Sequence, residues 1–218
     1  MFLDIETAIE QLREGKILIL VDDERRENEG DLVVAAEFAD ADVLNFMATH
    51  ARGLICMPIE ERRAEELGLT EMCPENTSLH GTRFTVSVDA RHHIGSGIST
   101  RDRAHTIAVI LDESTTPADL ARPGHVFPLA ARDGGVLRRA GHTEATVDMA
   151  RMAGLRPAAV LCEILAEDGA VARLPQLEAF SEKHGLGIVK IADLIAHRER
   201  AEWVCEYNGK ASHKLSPV

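Results

Sequence analysis

Residues 22–31 read DDERRENEGD, six carboxylates and two arginines in ten positions, directly after the apolar run Ile17, Leu18, Ile19, Leu20 and Val21. A strand that ends in such a block delivers charge to one place. Glu27, Glu29 and Asp31 alternate, so an extended backbone sends all three side chains from one face, and Gly30 allows the chain to bend so that they converge. At an effective dielectric near 20, two unit charges about 4 Å apart repel by roughly 4 kcal/mol, so converged carboxylates need a cation or the neighbouring guanidinium groups. Oxygen donors without thiolates select a hard cation, Mg²⁺ or Mn²⁺, over a closed zinc site. A charge run of this kind also reads as a solvated acidic turn.

A second group of residues suits an anion. Arg138, Arg139, His142 and Thr143 gather where a helical pattern begins, and that pattern stops at Gly154 and Pro157. With Thr143 as its predicted cap, the helix start would offer free N–H groups, the positive end of the dipole, a hydroxyl and a forked guanidinium, which together match a phosphate. An arginine pair before a helix is equally read as solvated. The stretch HHIGSGIST (92–100), with Ser96, Ser99 and Thr100, reads either as a backbone anion cradle or as a plain Ser/Thr helix cap. Glu163 ends an apolar strand at 158–161, and a buried acid requires a partner.

The elements that must position these groups alternate between helix and strand. Ile5, Ala8, Ile9 and Leu12 fall at i, i+3, i+4 and i+7, an amphipathic helix that Gly15 can end. Strands are expected at 32–36 and 54–57, and between them Asp40 caps a helix whose apolar face is Val43, Leu44 and Met47. A charged helix at 60–67, closed by Gly68, precedes a long surface loop at 69–82. Phe84, Val86 and Val88 alternate with polar residues as a half-buried strand, followed by a helix through Ala104, Ile107, Ala108 and Leu111. Residues 126–130 and 187–190 read as strands, 177–184 and 191–200 as helices. One domain is expected over 1–200, with 201–218 a tail of no clear period.

At 218 residues without a Pro/Gly/Ser-rich linker, the chain has no reason to be cut into two domains. Its formal net charge of -12 disfavours nucleic acid and anionic membranes, so a small anionic substrate would need a local arginine pocket. Cys56, Cys73, Cys162 and Cys205 form no CxxC pair, which fits reduced thiols better than disulfides or structural zinc. The start MFLDIETAIEQL lacks the basic and apolar regions of a signal peptide, and no apolar stretch approaches membrane-spanning length; the expected location is the cytoplasm.

The motifs RRENEGD, RPGHVFPL, GGVLRRAGHTEAT and VLCEI occur in this order, and through them the chain resembles the 3,4-dihydroxy-2-butanone 4-phosphate synthases of riboflavin biosynthesis over residues 5–197. The resemblance implies an α+β fold, a single domain with a mixed β-sheet and helices packed around it in three layers. It implies a homodimer, dependent on Mg²⁺ or Mn²⁺ with up to two ions per site, that converts D-ribulose 5-phosphate to L-3,4-dihydroxy-2-butanone 4-phosphate and formate. Metal ligation is implied for Glu27 and His142. Substrate binding is implied for Arg26, Glu27, Asp31, Arg139, Ala140, Gly141, His142, Thr143 and Glu163, and catalytic roles for His125, Glu163 and Asp31. Where Thr-Gly-Ile-Ser is expected the chain has Ser96-Gly97-Ile98-Ser99, which keeps a hydroxyl, and Arg91-His92-His93 is an unusual entry to it. Cys56 in GLICMP matches a family cysteine that packing explains as well as reactivity does. With no zinc-binding cysteine cluster, the expected form is monofunctional, lacking the GTP cyclohydrolase II activity of many relatives.

These residue types suit that reaction. Loss of a carbon as formate requires an enediolate and a skeletal rearrangement, both of which put negative charge on adjacent sugar oxygens that a divalent ion stabilises. Each proton transfer gains about 10²–10⁴-fold from a positioned acid or base. Another metal-dependent sugar-phosphate lyase or isomerase would use the same chemistry, whereas a non-catalytic phosphosugar-binding protein would not need so many convergent ionisable groups.

Overall fold

The computed structural model describes residues 1–212, with side chains as far as Ala201. Helix α1 (Ile5–Arg13) forms where the apolar spacing predicts it: Asp4 accepts from the Thr7 N–H as its cap, and Ile5, Ala8, Ile9 and Leu12 are buried. The chain turns at Gly15, whose φ of +78° favours glycine. Strand β1 (Leu18–Val21) is buried throughout, and β2 (Gly30–Ala35) returns antiparallel to it. Helix α2 (Ala41–Phe46), capped by Asp40, passes into a π-helical turn, Met47–Ala51. The remaining elements are β3 (Cys56–Glu60), α3 (Glu61–Glu66), β4 (Val88–Ala90), α4 (Thr100–Leu111), β5 (Leu120–Ala131), α5 (His142–Met152), β6 (Ala159–Glu163), α6 (Leu174–His184), β7 (Gly187–Lys190) and α7 (Ile191–Ser212).

The seven strands form one mixed sheet in the order β4-β5-β3-β6-β2-β1-β7. The β3/β5 and β1/β7 pairs are parallel and the others antiparallel. One face packs Leu18, Leu20, Val33 and Leu161 against Ile9 and Leu12 of α1, Ala145 and Met149 of α5, and Leu194 of α7. The other packs Ile19, Leu32, Val34, Met57 and Val160 against Leu44 of α2, Ile107 and Ile110 of α4, and Leu177 of α6. This is the three-layer α+β arrangement the resemblance implies. Burial on both faces is why β1 and β6 read as unbroken apolar runs instead of alternating ones. Truncating a residue such as Leu20 to Ala in this core would cost about 2–5 kcal/mol. No helix among the described residues is long and apolar enough to cross a membrane.

Three expectations shift. The strand predicted from Phe84 to Val88 makes only isolated bridges at Phe84 and Thr85, and its ladder with β5 starts at Val88. There β5 bulges, pairing Val126 with Val88 but Ala121 with Asp89. Gly124 passes so close that a Cβ would stand 2.0 Å from the Val88 carbonyl carbon. Helix α5 is capped by Gly141 instead of Thr143, which lies buried inside the first turn. Finally, α7 continues past Arg200 to Ser212: residues 191–208 hold no proline or glycine, and Gly209 falls in the last turn without ending the helix before it. The rest of the expected tail, 213–218, lies outside the described residues, as does the side chain of Cys205; Cys56, Cys73 and Cys162 are free thiols.

Candidate active site

Between β1 and β2 the acid block abandons the extended conformation. Residues 24–27 form a turn and Asn28 adopts a left-handed φ of +53°, so Glu27 and Glu29 converge through a turn, and of the block only Gly30 and Asp31 belong to β2. The Asp22 carboxylate, its side chain 1% exposed, organises the turn. It accepts the N–H groups of Glu27 and Glu29 at 3.0 Å each, and Arg26 Nη1 at 2.9 Å. From the opposite side Arg173 donates to the Glu27 carbonyl at 2.7 Å and to that of Asn28. Gly30 is required for space: a Cβ would meet Leu177 Cδ1 at 2.6 Å.

Asp31 pairs in register with Leu20 on β1 and with Glu163 on β6. His142, the first residue of α5 and 5% exposed, places Nε2 3.1 Å from the Leu20 carbonyl oxygen. A carbonyl only accepts, so Nε2 carries the proton, and Nδ1 is left 3.6 Å from Glu27 Oε2. Arg26 Nη1 also reaches Glu27 at 2.8 Å. Two donor sets, Asp22/Glu27/His142 and Glu29/Asp31/His142, each bring their ligand atoms within 4.8 Å of one another.

The charges here are strongly perturbed. Burial pushes Glu27 up, but the His142 hydrogen bond and the Arg26 charge outweigh it and hold the carboxyl at about 2. Burial, followed by the charge of Asp31, pushes Glu29 up to about 8. Burial also pushes Asp31 to about 7, with Glu163 and Glu27 adding to the rise against His142. Burial pulls His142 down, yet Asp31, Glu27 and Asp22 together lift it to about 9. The cluster thus retains protons near neutrality, on Glu29, in part on Asp31 and on a cationic His142, and among the described residues Asp31 Oδ1 is buried without a hydrogen-bond partner. Carboxylate oxygens with one imidazole fit a hard divalent cation.

Beside this cluster, two guanidinium groups close on the start of α5. A Cβ on Gly141 would stand 2.2 Å from Arg139 Nη1 and 3.0 Å from Arg26 Nη2. Arg139 also donates to Glu144 Oε2 (2.6 Å), Thr82 Oγ1 (2.6 Å) and the His80 carbonyl (3.0 Å), so it pins the end of the 69–82 loop while keeping two of its five donors. Ala140, between them, is exposed. The HHIGSGIST loop is a cap: Asp102 of α4 accepts the Gly95 and Gly97 N–H groups at 3.1 Å each, and Ser99 caps the helix. The chain's own carboxylate fills the would-be anion cradle.

Glu163 Oε2 accepts the Leu54 N–H at 2.7 Å, and Gly53 lies so close that a Cβ would be 2.3 Å from the Glu163 carbonyl oxygen. His125 is elsewhere. Cys56 of β3 pairs with Phe127 of β5 and Leu161 of β6, so β3 and β6 lie between the strand that carries His125 and the strand that carries Asp31. His125 is three strands from Asp31, and with about 4.8 Å per strand the separation is about 14 Å. Its partner is Asp89, whose Oδ2 lies 2.8 Å from His125 Nδ1. The fold therefore assembles Arg26, Glu27, Asp31, Arg139, Gly141, His142, Thr143 and Glu163 around one spot and leaves His125 apart. Sequence reasoning missed Asp22 as the loop's organiser, Asp89, Arg173, and His80, whose Nε2 is 4.0 Å from Glu27 Oε1. Asp89 was legible only as a polar position in an alternating strand. Burial, reinforced by Glu163 and Asp31, pushes the Cys56 thiol well above its ordinary range, so Cys56 is a packed, protonated thiol.

A single-sheet α+β fold sets a buried carboxylate–imidazole cluster beside an arginine-flanked helix start, donor chemistry that suits a hard cation and an anion. The family model of 3,4-dihydroxy-2-butanone 4-phosphate synthase matches residues 6–197, and the chain belongs to that family. Among curated relatives, the riboflavin biosynthesis protein RibBA of Aquifex aeolicus is 54% identical over 207 residues, covering 94% of this chain and 51% of the relative. The 3,4-dihydroxy-2-butanone 4-phosphate synthase of Pseudomonas aeruginosa is 52% identical over 194 residues, 89% of this chain and 53% of the relative. The chain spans about half the length of the curated relatives it matches. A crystal structure of 3,4-dihydroxy-2-butanone 4-phosphate synthase in complex with two magnesium ions superposes with a TM-score of 0.86 at 41% identity, covering 92% of this chain and 99% of the other. The two-domain synthase RibBX of A. baumannii matches with a TM-score of 0.86 at 49% identity, over 90% of this chain and 58% of that one.

Proposed function

We propose that this chain is a cytoplasmic, homodimeric, Mg²⁺-dependent lyase that converts D-ribulose 5-phosphate to L-3,4-dihydroxy-2-butanone 4-phosphate and formate for riboflavin biosynthesis. The observation that carries this reading is the junction of the Glu27/Asp31/His142/Glu163 cluster with the α5 N-terminus and its two arginines. Glu27 and His142 Nδ1 would hold the first ion, and Asp31 and Glu29 offer donors for a second, in keeping with the magnesium-bound relative. Bound metal would supply Lewis-acid stabilisation of charge on the sugar oxygens. The free donors of Arg139, the Arg26 guanidinium and the first N–H groups of α5 would hold the phosphate, fixing one end of the sugar while the acids meet the other. Asp31, with its carboxyl at about 7, can give or take a proton at working pH, and Glu163 stands opposite it on β6. The distance of His125 from this group supports a site completed by the imidazole of a second copy.

The test is formate release from ribulose 5-phosphate with and without EDTA. Metal-dependent formate is the expected result. Isomerised pentose without formate would instead place the chain among other metal-dependent sugar-phosphate enzymes, and binding without turnover would make it a phosphosugar-binding protein.

A further inference from the structure

We propose that Asp89 is the positioning residue of His125, holding the imidazole by its Nδ1 edge so that Nε2 is the bare, proton-accepting nitrogen. This rests on the reading of His125 as an acid–base group given above. Asp89 uses both carboxylate oxygens on this one residue: Oδ2 is 2.8 Å from His125 Nδ1, and Oδ1 accepts the His125 backbone N–H at 2.9 Å. Ring and main chain are therefore fixed together. A carboxylate only accepts, so in the neutral ring the proton sits on Nδ1, and among the described residues Nε2 has no hydrogen-bond partner.

The surroundings are built for this grip. The Asp89 side chain is 9% exposed and the imidazole 41%, so the holding end is dry and the working end is wet. Among the described residues no lysine or arginine pairs with Asp89; its ion-pair partner is His125. The bulge that pairs Val126 with Val88 and Ala121 with Asp89 turns the His125 N–H toward the carboxylate. Gly97, at φ +90°, lies against the hydrogen bond itself: a Cβ there would be 2.2 Å from Asp89 Oδ2 and 2.6 Å from His125 Nδ1. Asp102 holds that loop in place through the Gly95 and Gly97 N–H groups. A hydrogen bond that served only to join β4 to β5 would require neither a bare Nε2 nor a glycine pressed against it.

The experiment is ¹⁵N-resolved NMR of the histidine rings in the intact protein, paired with steady-state kinetics. The wild-type spectrum should show neutral His125 protonated on Nδ1, a result that needs no variant to fold. In Asp89→Asn the side-chain amide can donate to Nδ1, so the ring should switch to the Nε2-protonated form. In the same variant kcat should fall by about 10²–10⁴-fold with KM unchanged. Asp89→Glu keeps the acceptor and should restore the tautomer and most of kcat, whereas Gly97→Ala, which crowds both groups, should reproduce the kcat loss. An Nε2-protonated ring in the wild type, a tautomer switch that leaves kcat intact, or a loss confined to KM would each overturn the proposal. A wild-type chain that releases no formate fails the function reading instead, and the tautomer then decides the grip of Asp89 by itself.

Discussion

Gly141→Ala separates binding from folding more sharply than any arginine deletion would. The residue caps α5 with φ -123° and ψ 161°, a conformation open to alanine, so the backbone is not strained by the change. Alanine is a poorer cap than glycine, at a cost of up to about 1 kcal/mol. For a chain of this size that lowers Tm by about 2–4 °C. The new methyl meets Arg139 Nη1 at 2.2 Å and Arg26 Nη2 at 3.0 Å, the movable ends of two long side chains. Arg26 need yield only a few tenths of an ångström, whereas Arg139 must tilt against its bonds to Glu144, Thr82 and the His80 carbonyl, a local loosening that leaves the core packing untouched. A hydrogen bond from a charged donor is worth about 1.5–3 kcal/mol, and each 1.36 kcal/mol is tenfold, so displacing the nearer one alone raises KM for ribulose 5-phosphate by about 10–150-fold. Competition by inorganic phosphate should weaken in parallel. Formate kinetics, a phosphate inhibition series and a thermal melt on one preparation decide the matter. An unchanged KM beside a small Tm shift would show that phosphate is held elsewhere, and a melt lowered as far as a core truncation would show that Gly141 is structural.

Glu27→Gln and His142→Ala should each raise the Mg²⁺ concentration needed for half-maximal formate release. Arg173→Ala, which frees the loop without touching a donor atom, should fall between them and the wild type; wild-type titrations in the first two would refute the metal assignment. Because Glu29, Asp31 and His142 have values of about 8, 7 and 9, protons compete with the cation at neutral pH, and Mg²⁺ affinity should climb between pH of about 7 and 9. Calorimetry at pH 7 in buffers of different ionisation enthalpy should therefore show proton release on binding, and buffer-independent heats would contradict it. At a Mg²⁺ concentration too low to support Glu27→Gln, mixing that variant with inactive His125→Ser should restore partial activity if a second copy supplies His125. No recovery after verified subunit exchange would put both residues in one chain's site.

The helix–strand order and the chemistry of the acid block were legible in the sequence because both depend on neighbours a few residues apart. Helical periodicity located α1, apolar runs located β1 and β2, and the types of Glu27, Glu29 and Asp31 pointed to a cation. What escaped was whatever depends on distant pairing. Asp89 and His125 are 36 residues apart, and Arg173 and Glu27 are 146 apart. The alternation of Glu27, Glu29 and Asp31 suggested one extended face, but two N–H bonds to Asp22 outweighed extension and made a turn. For the HHIGSGIST loop the helix-cap reading held, Ser99 capping α4, and the carboxylate its glycine N–H groups face is Asp102, a few residues further on.

The clasp between Arg173 and the acid loop also has a meaning in time. Glu27 and Asn28 leave the ribosome before the guanidinium that fixes their carbonyls, which arrives 146 and 145 residues later, and the Leu20 carbonyl waits 122 residues for His142. A nascent or truncated chain that stops before α6 has the carboxylates without the frame that points them at one ion. Ion binding, which stabilises only the state that binds, then draws the equilibrium toward chains that have closed both contacts. Metal loading at this cluster would in that sense read out a closed fold: the acid loop becomes competent only when Arg173 and His142, both remote from it in sequence, have docked.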